Sequence, residues 1–457
     1  MPLLLFDQRT GPDLGADTPA YPQPHVPDWY ADAKLGVFIH WGVYSVPAWG
    51  TPREPGRHTP VEQEFSHHPY AEWYANTVRI PESPTRRHHE RTYGVGTSYE
   101  DLADRWTAEH FDPDAWMELF AACGARYVVP TAKHHDGFCL WDSATTPFTS
   151  ARRGPRRDLI ADLSAAARRH GLRLGLYFSG ALDWHNGAFP PIRSLTDLFR
   201  LRRNDREFAD FAHDQLTELV DRFRPDYLWN DIDWPDSGKG RGPKDLAALF
   251  ARYLDQVPEG LVNDRWGVPY FGVPTREYVS EHSTADRVWE ACRGLGRSFG
   301  HNTAEDDRHL ISGHDLVHLL LDTVAKNGNL LINVGPRADG TLPENQVARL
   351  HMLRDWLAVN SPAIHGSRPW RRHTEPTGHP VRYTTREGVL YVADLDPQHG
   401  ALSLSGEAAA RAAEGEVYWL TPDGRRPAHP DGGGTFTVPE VLRGAGAAVL
   451  AIEGGAE

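Results

Sequence analysis

Short apolar runs alternate with segments of helical spacing along most of the chain. Each run is bounded by polar or glycine positions, as is typical of buried parallel strands. The runs occupy residues 34–40, 125–131, 172–178, 227–230, 261–265 and 329–334. Between them, apolar residues recur every three or four positions, and this spacing predicts helices. The predicted helices cover residues 158–171, 208–223, 244–257, 314–326 and 344–359.

Repeated strand–helix units across residues 26–362 predict a (β/α)8-like TIM barrel. Polar residues collect where the predicted strands end, and in such barrels that end builds the active site. A doubly wound open sheet would show the same alternation. It ranks second because no GxGxxG motif follows the first strand.

The pattern changes after residues 361–362, where the helical spacing stops. Apolar runs at 389–392, 417–420 and 448–452 are separated by Gly- and Pro-rich turns. This predicts a C-terminal antiparallel β-sandwich over residues 363–457. Residues 1–25 are expected to form an irregular extension. The segment 51–99, rich in Pro, His and Tyr, is long for a loop and is expected to cover the site.

Composition excludes several classes of function. The chain has 48 basic and 62 acidic residues, a net charge of −14 and no basic runs, which argues against a nucleic-acid partner. No apolar run is long enough to span a bilayer, and residues 1–7 lack the basic region of a signal peptide. Cys123, Cys139 and Cys292 are scattered, which fits a reducing compartment. We therefore expect a cytoplasmic protein without membrane association.

The most informative segment is PDYLWNDIDWP at residues 225–235. A short apolar strand runs into Asp231 and Asp233, which are flanked by Trp229 and Trp234. A carboxylate at a strand end beside indole rings suits a glycosidase, because it can attack or stabilise an oxocarbenium ion while the rings pack on a sugar. The competing interpretation is an Asp-rich turn with tryptophans filling the core.

Glycoside hydrolysis also needs a carboxyl group that protonates the leaving oxygen. Glu277, Glu281 and Glu290 follow Asp231 in the chain, and spacing alone does not choose among them. Each could equally be a solvated loop acid, which is the commoner fate of glutamate.

One interpretation of His134, His135 and Asp136 is that they bind a metal ion. We favour contacts to sugar hydroxyls, because adjacent residues point apart along a strand and no HExxH spacing is present. His40, beside Trp41, allows the same two interpretations. No GxSxG nucleophile elbow and no phosphate loop occurs, so we expect neither metal nor cofactor.

Six motifs together resemble the α-L-fucosidases of glycoside hydrolase family 29. They are FIHWG at 38–42, KHHDGF at 133–138, LWND at 228–231, NDRWG at 263–267, WEACRGLGRSFG at 289–300 and GNLLINVGPRADG at 328–340. The resemblance implies a retaining, two-step hydrolysis of terminal α-L-fucosyl residues on a barrel without a cofactor. The implied partner is a fucosylated oligosaccharide or glycoconjugate.

The resemblance also implies roles for individual residues. Asp231 takes the place of the nucleophile, and Glu277 matches the acid/base of bacterial members that share NDRWGVP and a following Glu-Tyr pair. In animal-type members the acid/base is the Glu of a Trp-Glu pair, here Glu290. Asp233 departs from the family pattern and is expected to change the electrostatics of the pocket. The implied sugar-binding residues are His40, Glu72, Trp73, His134, His135, Tyr177, Trp229, Arg265 and Phe299, the last facing the C5 methyl group.

Two other functions remain open at this stage. One is a non-catalytic carbohydrate-binding protein, which the presence of Asp231 with candidate acids disfavours. The other is a hydrolase of a sterically similar glycoside such as a galactoside. The sequence leaves linkage preference and assembly into a homo-oligomer undecided.

Overall fold

The computed structural model describes residues 21–22, 25–54, 56, 59–375, 378–431 and 434–456. The irregular extension predicted for residues 1–25 lies mostly outside the described residues. Within the described part of the chain, no helix is long and apolar enough to cross a membrane.

A parallel eight-stranded sheet forms the centre of the larger domain. Its order is β5-β4-β3-β2-β1-β8-β7-β6. Asn263, just after β5, and Val273, just before β6, form a parallel bridge between the two edge strands. The sheet therefore curls back on itself as a TIM-like barrel, which confirms the predicted fold class. The strands are β1 Leu35–Ile39, β2 Tyr127–Lys133, β3 Arg173–Ser179, β4 Tyr227–Asp231, β5 Leu261–Val262, β6 Thr275–Glu277, β7 Trp289–Gly294 and β8 Gly328–Val334.

Two of these strands are absent from the sequence prediction. They are β6, Thr275–Glu277, which pairs with β7, and β7, Trp289–Gly294, which also pairs with β8. Their polar residues, such as Arg276, Glu277, Glu290 and Arg293, interrupt the apolar runs by which buried strands are recognised. The polar residues of these two strands therefore explain why apolar runs do not predict them.

Helices pack around the barrel, and several begin at side-chain caps. Asp158 accepts a hydrogen bond from the amide of Ala161, and Asp205 accepts one from that of Phe208. The helices of the larger domain are α1 Asp28–Ala33, α2 Tyr74–Thr77, α3 Pro84–Thr92, α4 Tyr99–Asp104, α5 Pro113–Ala122, α6 Leu159–Arg169, α7 Leu195–Arg200, α8 Arg206–Phe223, α9 Leu246–Gln256, α10 Gly313–Ala325 and α11 Glu344–Asn360.

The C-terminal region is built from antiparallel strands, as predicted. One sheet has the order β14-β13-β16-β11-β10-β9, and β12 pairs with β15. These strands are β9 Arg368–Pro369, β10 Val381–Arg386, β11 Val389–Asp394, β12 Ala401–Ser403, β13 Val417–Thr421, β14 Gly424–Pro427, β15 Thr435–Thr437 and β16 Ala448–Ile452.

Strand β11 joins the two cores through the alternation of its side chains. Tyr391 and Ala393 pack with the core of the barrel, whereas Leu390 and Val392 belong to the C-terminal core. Successive side chains of a strand point to opposite faces, so a single strand contributes to both cores.

One expectation for this region is wrong, because helices do not stop after residue 362. α12, Gly406–Glu414, has the sequence GEAAARAAE and buries Ala408 and Ala412. Alanine, glutamate and arginine are strong helix formers, but alanine gives little of the bulky apolar signal by which an amphipathic helix is recognised.

Candidate active site

A cavity of about 370 Å³ opens among the carboxyl ends of the barrel strands. In parallel barrels these ends meet at one face, so side chains far apart in sequence converge there. All eleven residues singled out as catalytic or sugar-binding line it: His40, Glu72, Trp73, His134, His135, Tyr177, Trp229, Asp231, Arg265, Glu277 and Phe299.

Arg265 lies between the two candidate catalytic carboxylates. Its Nη1 donates to Asp231 Oδ1 at 2.9 Å and to Glu277 Oε2 at 3.3 Å. The guanidinium carbon lies 4.7 Å from the ring centroid of Trp229. Arg265 is buried, so the cation is compensated by carboxylates and an aromatic face rather than by water.

Asp231, the last residue of β4, is held in its anionic form. Tyr177 Oη donates to Asp231 Oδ2 at 3.0 Å, and the amide of Ile232 donates to Oδ1 at 3.0 Å. Burial alone would raise the pKa of Asp231, but the charge of Arg265 and the donated hydrogen bonds outweigh it and lower the pKa. At neutral pH the group is therefore a carboxylate available for nucleophilic attack.

Glu277, the last residue of β6, faces the same cavity. Its Oε1 accepts a hydrogen bond of 2.8 Å from Tyr70 Oη, and its side chain is 21% exposed. Tyr70 lies in the segment 51–99, but sequence reasoning did not single it out. The only signal for it is the aromatic and histidine content of that segment.

Glu290 is placed differently from Glu277. It is fully buried and does not line the cavity. Its carboxylate accepts hydrogen bonds from Tyr30, Tyr127, Tyr227 and Trp229 Nε1, at 2.8, 2.8, 3.2 and 2.8 Å. Burial raises the pKa of Glu290, and these four donors oppose that shift. The geometry therefore makes Glu290 a support beneath the ring of Trp229.

The hydrogen bonds of His135 fix its tautomer. Ser179 Oγ donates its proton to the carbonyl of Leu182 at 2.7 Å, so it can only accept from His135 Nδ1, also at 2.7 Å. Burial lowers the pKa of His135 to about 4, and the ring is neutral at pH 7. Nε2 is then an acceptor.

His40 is fixed in the same way. Asn333 Nδ2 donates to the carbonyl of Phe299 at 2.6 Å, so Asn333 Oδ1 accepts from His40 Nδ1 at 2.7 Å. Burial lowers the pKa of His40 to about 3, which leaves its Nε2 as an acceptor too. Both histidines can thus receive hydrogen bonds from hydroxyl groups of a ligand.

His134 and His135 do not point apart, contrary to the sequence argument against a metal. Their ring centroids are 4.1 Å apart, and both line the cavity. β2 ends at Lys133, so the alternation of a strand does not apply to the two residues that follow it. Among the described residues, no group of three or more His, Cys, Asp or Glu could hold a metal ion.

The loop that follows β1 and the loop that follows β7 also line the cavity. Glu72 Oε2 accepts from the amide of Gly300 at 2.7 Å, and burial raises the pKa of Glu72 to about 8. Trp73 stacks on His68 with ring centroids 4.7 Å apart. Phe299 lies 4.9 Å from the ring of His40 and presents an apolar face to the cavity.

Asp233, for which an effect on the electrostatics of the pocket is expected, pairs with two cations. It lies outside the cavity lining, and Arg202 and Lys239 contact its two oxygens at 2.9 Å each. Ile232 and Asp233 have φ angles of 53° and 72°, a left-handed conformation that is costly for such residues. These ion pairs hold the strained turn that directly follows Asp231.

Comparisons with known proteins identify the family of the chain. The family model described as "Alpha-L-fucosidase" matches residues 13–362. The chain is 33% identical over 428 residues to the tissue alpha-L-fucosidase of Rattus norvegicus, covering 88% of this chain and 85% of the relative. It is 32% identical over 413 residues to the alpha-L-fucosidase of Dictyostelium discoideum, covering 86% and 84%.

Solved structures of alpha-fucosidases match the chain at higher sequence identity. The Thermotoga maritima alpha-fucosidase in complex with fucose is 43% identical, with a TM-score of 0.82 over 94% of this chain and 97% of that one. The complex of the Thermotoga maritima enzyme with a mechanism-based inhibitor is 43% identical, with a TM-score of 0.83 over the same shares. The chain therefore belongs to the alpha-L-fucosidase family of glycoside hydrolases.

Proposed function

We propose that this enzyme is a retaining exo-α-L-fucosidase, with Asp231 as nucleophile and Glu277 as acid/base. The observation that carries the proposal is the contact of Arg265 Nη1 with both carboxylates. Arg265 Nη1 contacts one oxygen of Asp231 and one of Glu277. The distance between those two oxygens therefore cannot exceed the sum of the two N–O distances. This closeness supports the arrangement of retaining glycosidases, whose two carboxyl groups lie roughly 5–5.5 Å apart.

The reaction has two steps on this arrangement. In the first, Asp231 attacks the anomeric carbon while the protonated carboxyl of Glu277 gives its proton to the glycosidic oxygen, and the aglycone leaves as an alcohol. In the second, the Glu277 carboxylate takes a proton from water, whose oxygen attacks the anomeric carbon and breaks the ester to Asp231. Two inversions at one carbon return the starting anomer.

The chemistry of the cavity suits a deoxy sugar. The acceptor nitrogens of His40 and His135 complement sugar hydroxyls, while Phe299 offers a surface for a methyl group. A solved relative holds fucose, and another structure of the same enzyme holds a mechanism-based inhibitor. The eleven predicted residues gather in one part of the cavity, which supports removal of one terminal sugar.

The anomer released first tests the mechanism. During hydrolysis of an aryl α-L-fucoside, proton NMR in the first minutes should show α-L-fucose before mutarotation mixes the anomers. Initial β-L-fucose would refute retention. An aryl β-D-galactoside supplies the substrate control. Preferential cleavage of the galactoside, or no turnover of either compound, would refute the proposed activity.

A further inference from the structure

A buried lysine lies behind the two histidines of the cavity wall. Lys133, the last residue of β2, is fully buried and does not line the cavity, whereas the next two residues, His134 and His135, do. The ammonium of Lys133 donates to Asp183 Oδ2 at 3.4 Å and to Gln215 Oε1 at 2.9 Å. A buried ion pair is often no more stabilising than apolar residues of similar volume, so stability alone does not account for this one.

The loop that follows β3 connects this ion pair to His135. Asn186 donates from its amide and from its side chain to the carboxylate of Asp183, at 2.9 and 3.0 Å, which fixes the loop on the ion pair. The amide of Trp184, the residue after Asp183, donates to the carbonyl of His135 at 2.8 Å. The ring centroid of Trp184 lies 5.5 Å from that of His135. The loop that Lys133 and Asp183 hold therefore contacts both the backbone and the ring of His135.

The position of His135 makes its charge matter for the reaction. Its Nε2 lies 3.7 Å from Asp231 Oδ2. A protonated ring would form an ion pair with Asp231 and could no longer accept from a sugar hydroxyl. Burial is the largest cause that lowers the pKa of His135; the charge of Asp231 raises that pKa, and the charges of Lys133 and Arg265 lower it. Lys133 therefore opposes the protonation that Asp231 favours.

The other titratable groups packed around His135, among the described residues, are largely uncharged in the acidic range where its ring titrates. Burial lowers the pKa of three histidines and raises the pKa of one phenol and two carboxyl groups. They are His40, His68, His134, Tyr177, Asp136 and Glu72. The charges that act on His135 are thus those of Asp231, Arg265 and Lys133, together with that of Asp183 beside Lys133.

We propose that Lys133 is a positioning residue for the hydrolysis and keeps His135 in place and neutral beside Asp231. The inference rests on the proposed function, which makes Asp231 the nucleophile and gives His135 a sugar hydroxyl to bind. Asp183 anchors the ammonium, and its negative charge partly offsets the effect of Lys133 on the imidazole.

The acid limb of the pH profile tests this role. kcat/KM for an aryl α-L-fucoside is measured against pH in Lys133→Met, in Asp183→Asn and in the double variant, while nitrogen-15 NMR follows protonation of the His135 imidazole. Lys133→Met removes the cation and leaves Asp183, so the limb and the imidazole titration should both move up by about one pH unit. The double variant removes both charges and should move them up by less. Asp183→Asn leaves the cation in place and should not move them up.

Lys244→Met is the control, because it removes one positive charge from a side chain that is 48% exposed and pairs on the surface. Its limb should match that of the wild type. If Lys133 serves the fold alone, Lys133→Met lowers kcat/KM at every pH and leaves the limb where it was, and that result overturns the proposal. An upward shift in Asp183→Asn as large as in Lys133→Met overturns it too.

The double variant decides the matter if Lys133→Met does not fold, since it leaves no buried charge without its partner. An acid limb and an imidazole titration that are both unmoved in the double variant then refute the role of Lys133. A wild-type protein that cleaves no aryl α-L-fucoside refutes the proposed function instead. In that case the imidazole titration still shows whether Lys133 keeps His135 neutral.

Discussion

The indole nitrogen of Trp229 donates a hydrogen bond of 2.8 Å to the buried carboxylate of Glu290. Trp229 in turn lines the cavity and lies under the guanidinium of Arg265, which contacts Asp231 and Glu277. Glu290 therefore contacts the cavity wall through Trp229 and does not face the cavity. Glu277 lines the cavity itself, and this difference favours Glu277 as acid/base.

Chemical rescue should separate the two glutamates. Glu277→Ala should slow hydrolysis of natural fucosides far more than that of activated aryl fucosides, because a good leaving group departs without a proton. Azide should partly restore turnover, since it attacks the intermediate without a general base. Rates with and without azide on both substrate types check this.

Glu290→Ala is the comparison for the same measurement. It leaves four buried donors without their acceptor, each at a cost of about 1–3 kcal/mol. We therefore expect a lower melting temperature, an even loss on all substrates and no response to azide. Azide rescue of the Glu290 variant but not of the Glu277 variant would reverse the assignment.

Replacement of Asp231 should abolish the covalent step. We expect Asp231→Ala to lose about 10³-fold or more in kcat, as removal of a nucleophile generally does. The measurement is kcat with an aryl α-L-fucoside. Asp286→Ala, which removes an exposed carboxylate, is the control and should leave kcat unchanged. An Asp231 variant within about tenfold of the wild type contradicts the assignment.

Ser179 should control the tautomer of His135. Ser179→Ala removes the acceptor for Nδ1–H, so the ring is free to place its proton on Nε2, where it cannot accept from a sugar hydroxyl. We expect kcat/KM to fall about tenfold, equivalent to one hydrogen bond. Nitrogen-15 NMR of the imidazole should show an unprotonated Nε2 in the wild type and a mixture in the variant.

Ser164→Ala supplies the matched control for this experiment. Ser164 is also buried, but it lies in α6 and outside the cavity lining. Its replacement should change neither the imidazole spectrum nor kcat/KM. A protonated Nε2 in the wild-type spectrum would contradict the tautomer that the contacts of Ser179 require.

Lys34 should make stability depend on pH. Its amine is fully buried without a hydrogen-bond partner, and burial and the charge of Arg368 lower its pKa to about 7 from 10.5. Between these values only the unfolded chain holds the proton, so the free energy of unfolding rises with pH. Lys34→Met should raise the melting temperature most below about pH 7, and the gain should fade toward the unfolded pKa.

An exposed lysine provides the comparison for the melting curves. Lys244 has a side chain that is 48% exposed and pairs with Asp214 on the surface. Lys244→Met should change the melting temperature little, because exposed ion pairs contribute at most about 1 kcal/mol. A gain in Lys34→Met that does not vary with pH would show that the amine does not titrate near neutrality.

Local patterns determined much of this protein from sequence alone. Apolar runs predicted six of the eight barrel strands, and Asp158 marked the start of α6, because burial and capping leave signals within a few residues. The order of Trp229 and Asp231 at the end of a strand pointed to a glycosidase before any fold was known. The motif resemblance then selected eleven residues, all of which line the cavity.

Tertiary structure decided what depends on contacts between distant residues. Glu277 and Glu290 are both acidic residues in polar strands, and only the folded barrel places one in the cavity and the other beneath Trp229. The pairing of Tyr70 with Glu277 spans 207 positions in the chain, and sequence spacing cannot indicate such a contact. The tautomers of His40 and His135 likewise depend on carbonyl groups that folding brings beside Asn333 and Ser179.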